Sequence, residues 1–274
     1  MIKNQFKTLL LLSLLTALLL WVGSLFGRQG LIFAVIFVGI FNFGSYFWSD
    51  KIVLAMHRAK EVKRSEAPKL YELVKEVAHE AGLPMPKLYI LPSMNPNAFA
   101  TGRNPKHAAV ACTQGILSLL TKEEFKGVIA HEMAHIKNRD ILISTIAAMI
   151  AGVISYIAMM ARWGAIFGGF GDREQGNNML QLLVLAILTP LIATIIQLAI
   201  SRSREYLADE TGARIIQNPK ALASALEKLE LGSKARPMLS GNTATASLFI
   251  VNPFTARGFI NLFSTHPPIK ERVK

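Results

Sequence analysis

Two histidines four residues apart enclose a glutamate in His131-Glu132-Met133-Ala134-His135. On a helix such residues share a face, so both imidazoles can hold one cation. Glu132 then lies beside a water on that cation, where its carboxylate can take a proton. A zinc ion doing this chemistry keeps three protein ligands and one open position. No third histidine follows His135 at close spacing, and the one cysteine, Cys112, excludes a cysteine-rich zinc site and an internal disulfide. The third ligand must come from another part of the chain. The charged run Arg202, Arg204, Glu205, Asp209 and Glu210 holds two carboxylates four residues apart. Its plain reading is a solvated helix end with ordinary ion pairs.

The elements that would position these groups are apolar. The chain has 274 residues, 51% hydrophobic and 18% charged, with mean hydropathy +0.36, whereas soluble domains carry about 25% charged residues. Uncharged runs cover Thr8–Gly27, Gln29–Ser49, Ile141–Ala161 and Gln175–Ser201. Each is long enough to cross a ~30 Å hydrocarbon core as a helix. Pro190 predicts a kink in the fourth. The first run reads as a span rather than a cleaved signal, because it is long and another span follows at once through a turn at Gly27–Gly30. His135 lies about six residues before the third run, ~9 Å above it at helical rise, and Glu205 about four residues past the fourth, ~6 Å above. Antiparallel spans therefore bring Glu205 level with the histidine pair. Glu205 is taken as the third ligand and Asp209 as the partner behind a ligand. The reverse assignment stays open.

Of the 30 lysines and arginines, only Arg28, Arg162 and Arg173 fall on the opposite side of such a four-span arrangement. That bias puts both polar segments in the cytoplasm. It also accounts for the net charge of +12 through attraction to the lipid bilayer, with Arg58, Lys60, Lys63 and Arg64 as a basic anchor. No aromatic-interleaved basic motif points to nucleic acid, and no glycine loop with lysine points to an ATPase.

Within the polar segments, Ser65 to Gly82 carries the signals of a helix with Pro68 in its first turn. Lys87–Leu91, Asn97–Thr101 and Ala108–Thr113 read as strands, the last two pairing through Gly102–His107. Thr121 and Glu124 form a capping box opening a helix with no breaker before the third span. Residues 219–231 read as an amphipathic helix closed by Gly232, and 232–262 give no clear assignment. His57, His79 and His107 have no ligand partners at useful spacing, and Cys112 reads as packing. Tyr206 either lines the site or packs.

Taken together, His131–His135, Ser201-Arg202-Ser203-Arg204-Glu205-Tyr206-Leu207-Ala208-Asp209 and His266-Pro267-Pro268 with Arg272 resemble the HtpX-type membrane zinc metalloproteases, relatives of the CAAX prenyl proteases. The resemblance spans nearly the whole chain. It implies His131, His135 and Glu205 as ligands of one zinc per chain, Glu132 as base, and His266 as a donor to the oxyanion, although a histidine before two prolines reads by itself as a turn residue. It further implies that Asn97-Ala98-Phe99-Ala100-Thr101-Gly102 flanks the cleft. As an edge strand it can pair with an extended substrate; a plain core strand is the other reading. Arg272 would orient the site by pairing with Asp209.

The expected fold is a mainly α membrane protein: four transmembrane helices with a cytoplasmic zincin-like α+β catalytic domain split between residues 50–140 and 202–274. Residues 1–49 and 141–201 form the two transmembrane hairpins. The expected function is a zinc endopeptidase of a bacterial inner membrane, multi-pass, cutting unfolded or damaged membrane proteins at the cytoplasmic face. The resemblance adds a part in heat- or envelope-stress quality control beside the ATP-dependent protease FtsH. The rivals are a metal-bound scaffold or adaptor without turnover, and processing of prenylated C-termini, which four spans are few to enclose.

Overall fold

The computed structural model describes residues 27–150, 202–238, 243–253 and 267–274, with scattered helical positions between 6 and 24. The fourth expected span with Pro190, the third beyond Ile150, most of the first, and His266 lie outside the described residues.

Helix α1, Gly27–Met56, is 30 residues long and apolar enough to cross a membrane. It starts at Gly27, whose φ of 72° suits glycine, so Gly27–Gly30 open the helix rather than form the expected turn. It also runs on past Ser49 to Met56, because nothing at Asp50 or Lys51 breaks a helix. Asn42 Nδ2 donates to Thr16 Oγ1 at 2.9 Å and ties the first segment to it.

A four-stranded mixed sheet follows, in the order β1 (Lys60–Glu61), β2 (Lys87–Leu91), β4 (Ala108–Thr113), β3 (Ala98–Gly102). The pair β2–β4 is parallel, while β1–β2 and β3–β4 are antiparallel. Every residue of β3 and β4 is buried, because both sheet faces are covered and side chains alternate between them. On one face Ala98, Ala100, Val110 and Cys112 pack with α2 (Pro68–Glu80) and α4 (Lys122–Lys137). On the other, Phe99, Ala109 and Ala111 pack with Val53 and Leu54 of α1, the helix Ile141–Ile150 (α5), and Leu248 and Phe249. The short helix α3, Gln114–Leu119, links β4 to α4.

Helix α4 opens on the capping box: the Thr121 side chain accepts from the Glu124 backbone, and Glu124 accepts from the Thr121 backbone. It does not run unbroken into α5. It ends at Lys137 with Asn138 as its C-cap, and Arg139 takes φ 61° before α5 begins. The Asp140 backbone N–H closes this break on the His135 carbonyl at 3.0 Å, a local solution that needs neither glycine nor proline. Helices α6 (Arg202–Ile216) and α7 (Pro219–Ala235) pack on α4. Gly232 does not stop α7. A Cβ there would meet Pro96 Cγ at 2.8 Å, so this glycine serves close packing. Residues 243–248 form a 3-10 turn, Ile250 and Val251 bond the start of β3 and Asn97 before it, and α8 (Ile269–Arg272) follows near the end of the chain.

Candidate metal centre

The heart of α4 is buried from Gly127 to Ala134, which carries His131 and Glu132 inside the molecule. Helix α6 reaches it at Gly212, where a Cβ would lie 2.8 Å from the His131 backbone nitrogen. Glu205, Asp209 and Gly212 share one helical face, so the contact that only glycine permits also aims both carboxylates at the histidines.

The result is a triangle. His131 Nε2 and His135 Nε2 are 3.1 Å apart, and Glu205 lies 3.8 Å from the first and 3.6 Å from the second. One ion with tetrahedral bonds of 2.0–2.2 Å sets its ligands about 3.4 Å apart, which these separations match. Two imidazole nitrogens facing each other at that distance also call for a cation between them. Each ring presents its other nitrogen to a carboxylate: His131 Nδ1 lies 2.9 Å from Asp209 Oδ1 and His135 Nδ1 lies 3.2 Å from Asp140 Oδ2. His135 Nδ1 is hydrogen-bonded there and His131 Nδ1 lies within ion-pair reach, so with a proton on each Nδ1 both Nε2 lone pairs face the centre. The donor set of two imidazoles and a carboxylate fits zinc.

Arg272 backs the site. Its Nε donates to Asp209 Oδ2 at 2.8 Å, its Nη2 to Asp209 Oδ1 at 2.7 Å, and its Nη1 to the Ile250 carbonyl at 3.1 Å. Burial works to raise the Asp209 carboxyl, but the Arg272 bonds and the nearby His131 outweigh it and hold the group well below the usual carboxylate range. Burial raises the Glu132 carboxyl; His131 and His135 oppose it, Glu205 adds to it, and the Ala100 backbone N–H opposes it by donating to the carboxylate. Burial alone would lower His135, yet Asp140, Glu205 and Glu132 together bring it to about 9. So much negative charge around two imidazoles is an environment that asks for a cation.

Strand β3 is an edge strand by pairing, yet part of its outer side is taken. The Ala98 carbonyl accepts from Ile250 N–H at 3.1 Å, and the Asn97 side chain bonds both the N–H (3.3 Å) and the carbonyl (2.6 Å) of Val251. Phe99 points away, stacking edge-on with Phe249. Ala100 alone of this strand borders the small central cavity, of about 30 Å³. His57 is buried and satisfied by Thr245 Oγ1 at 2.9 Å, His79 and His107 are exposed, and Cys112 is a packed side chain whose thiol burial pushes up to about 12. Tyr206 is exposed and donates to Glu271.

Two residues of the site escape a reading of the sequence. Asp140 orients His135 only because the chain breaks at Arg139 and turns back; an acidic residue five positions after a ligand is its one trace. Arg204 borders the cavity although its place in a charged run suggests a solvated face.

A histidine pair and a carboxylate converging on one point, with a buried glutamate beside them and a strand edge against it, define a metallopeptidase. Residues 64–274 match peptidase family M48, and the chain belongs to that family. It is 58% identical over 272 residues to a Protease HtpX homolog of Thermodesulfovibrio yellowstonii, covering 98% of this chain and 96% of that protein. Against the Protease HtpX homolog of Syntrophobacter fumaroxidans the identity is 53% over 275 residues, covering 99% and 98%. With that of Pyrococcus furiosus it is 51% over 269 residues, covering 98% and 93%. The crystal structure of S. mikatae Ste24p aligns with a TM-score of 0.53 at 18% identity, a likeness of fold. It covers 99% of this chain, which spans 65% of that one.

Proposed function

We propose that this chain is a membrane-embedded zinc endopeptidase that cuts unfolded or damaged membrane proteins at the cytoplasmic face of a bacterial inner membrane. The convergence of His131, His135 and Glu205 within 3.1–3.8 Å, beside the buried Glu132, carries the reading. These three side chains would hold one zinc per chain, which supplies Lewis acidity toward a carbonyl and acidifies a water.

The chain's own groups do the rest. Glu132 takes the proton of the attacking water at its carboxylate and passes it to the leaving amine nitrogen. Asp209, locked by Arg272, and Asp140 keep the two imidazoles in the ligating tautomer. Ala100 borders the cavity, which supports pairing of substrate main chain along β3 from this residue onward, beside Asn97, Ala98 and Phe99. His266 is the oxyanion donor in this scheme. A part in stress-related quality control beside FtsH is what the HtpX-type resemblance adds to this reading.

Purified protein in detergent, given zinc and an unfolded polypeptide, tests the reading. Fragments should form with wild type, and none with Glu132→Ala or after chelation. A scaffold without turnover would leave wild type and variant alike.

A further inference from the structure

The mechanism above leaves one charged group of the cavity without a task. Arg204 shares that cavity with His131, Glu132, His135 and Glu205, and its Nε, Nη1 and Nη2 atoms are buried without a hydrogen bond among the described residues. The contrast with Arg272 is direct. That guanidinium, with its Nη1 3.8 Å from Glu205, makes three hydrogen bonds to Asp209 and Ile250. Native proteins rarely leave a buried donor unsatisfied, because the group has given up water without replacement.

A guanidinium has five N–H donors in a planar fork and no acceptor. What satisfies it must be oxygen, and best an oxygen bearing charge. Peptide hydrolysis brings one such atom to this place. The carbonyl oxygen at the cut gains negative charge when water adds to its carbon, and it keeps charge as part of the product carboxylate once the C–N bond has broken. We propose that Arg204 is a substrate-binding residue that donates to this main-chain oxygen, most strongly when the oxygen is charged. The assignment deepens the peptidase reading and rests on it. Its rival is a purely structural one, in which Arg204 balances the carboxylates of Asp140 and Glu205.

The test uses the full chain in detergent with zinc, a quenched fluorescent peptide as substrate and a phosphinic peptide as the charged-oxygen mimic. Arg204→Ala should lower kcat/KM by about 10²–10³-fold, chiefly through kcat, as loss of an oxyanion donor does. Phosphinic-peptide affinity should fall by a similar factor, with zinc per chain and Tm held at wild-type values. Arg204→Lys should recover part of both, since it restores charge but not the fork. Arg214→Ala, an exposed arginine of the same helix, serves as the control. Unchanged phosphinic-peptide binding in Arg204→Ala overturns the assignment, and so does a loss of zinc or Tm that tracks the loss of rate. If wild type and Glu132→Gln both fail to cut the peptide, the peptidase reading itself falls; an active wild type matched by Arg204→Ala removes Arg204 alone.

Discussion

At the scale of residues, the centre works by holding protons where the ligands do not need them. Asp209 and Asp140 each face an Nδ1, and the opposite nitrogens turn inward. Asp209→Asn keeps the shape but weakens that hold, and losing such an outer partner costs about 10–100-fold in metal affinity. Competition with a chromophoric chelator should show this drop, and a smaller one for Asp140→Asn, whose contact is longer. Undiminished zinc affinity in both would mean that the ring orientation comes from packing alone. The histidine spacing was legible because helical periodicity is local. Asp140 was not, because its position depends on a backbone turn at Arg139 that no residue type announces.

At the scale of elements, α4 is the part on which everything else is hung, and its first turn is anchored heavily. Glu124 accepts from Thr121, Ser224 and Lys228. Burial works to raise its carboxyl, but the bonds from Lys228, Ser224 and Thr121 prevail and bring it from 4.5 to about 2. Because the folded value lies below the ordinary one, this stabilisation is fully present above about pH 4.5 and is lost as pH falls toward 2. Thermal melts of Glu124→Gln should therefore lie below wild type at pH 7, with the gap closing in acid; a gap independent of pH would assign the effect to shape. The capping box was readable from four residues. The level at which α6 meets α4 was inferred from span depth, but the close approach at Gly212 was not. Gly212→Val places a side chain where the His131 backbone stands, so zinc binding and cleavage should both collapse while the membrane-spanning parts still insert. Retained zinc stoichiometry by metal analysis would show that α6 can shift without cost.

At the scale of the whole molecule, the proposed topology puts 50–140 and 202–274 on one side of the bilayer. The single native cysteine is buried and its thiol is pushed up to about 12, so introduced cysteines report cleanly. Lys106→Cys and Lys220→Cys should resist an impermeant maleimide in intact cells and react after lysis, whereas Gly169→Cys should react at once. The reverse pattern would invert the protein. The prospect of a membrane protein, the apolar run inside Gly27–Met56, three of the four strands and the helix of His131 and His135 were readable in the chain, because hydrophobic runs, period-two alternation and caps are properties of neighbours in sequence; the ends of that long helix and the two-residue β1 were not. The meeting of Glu205 with His131 and His135 was inferred from depth along two spans, and its distances belong to the packing of α6 on α4. What only the tertiary structure decided are the contacts across long sequence gaps: Ile250 and Val251 closing the upstream edge of β3, Asp140 folded back on His135, and Arg204 drawn into the cavity. Each depends on how separate elements share space, which no local pattern encodes.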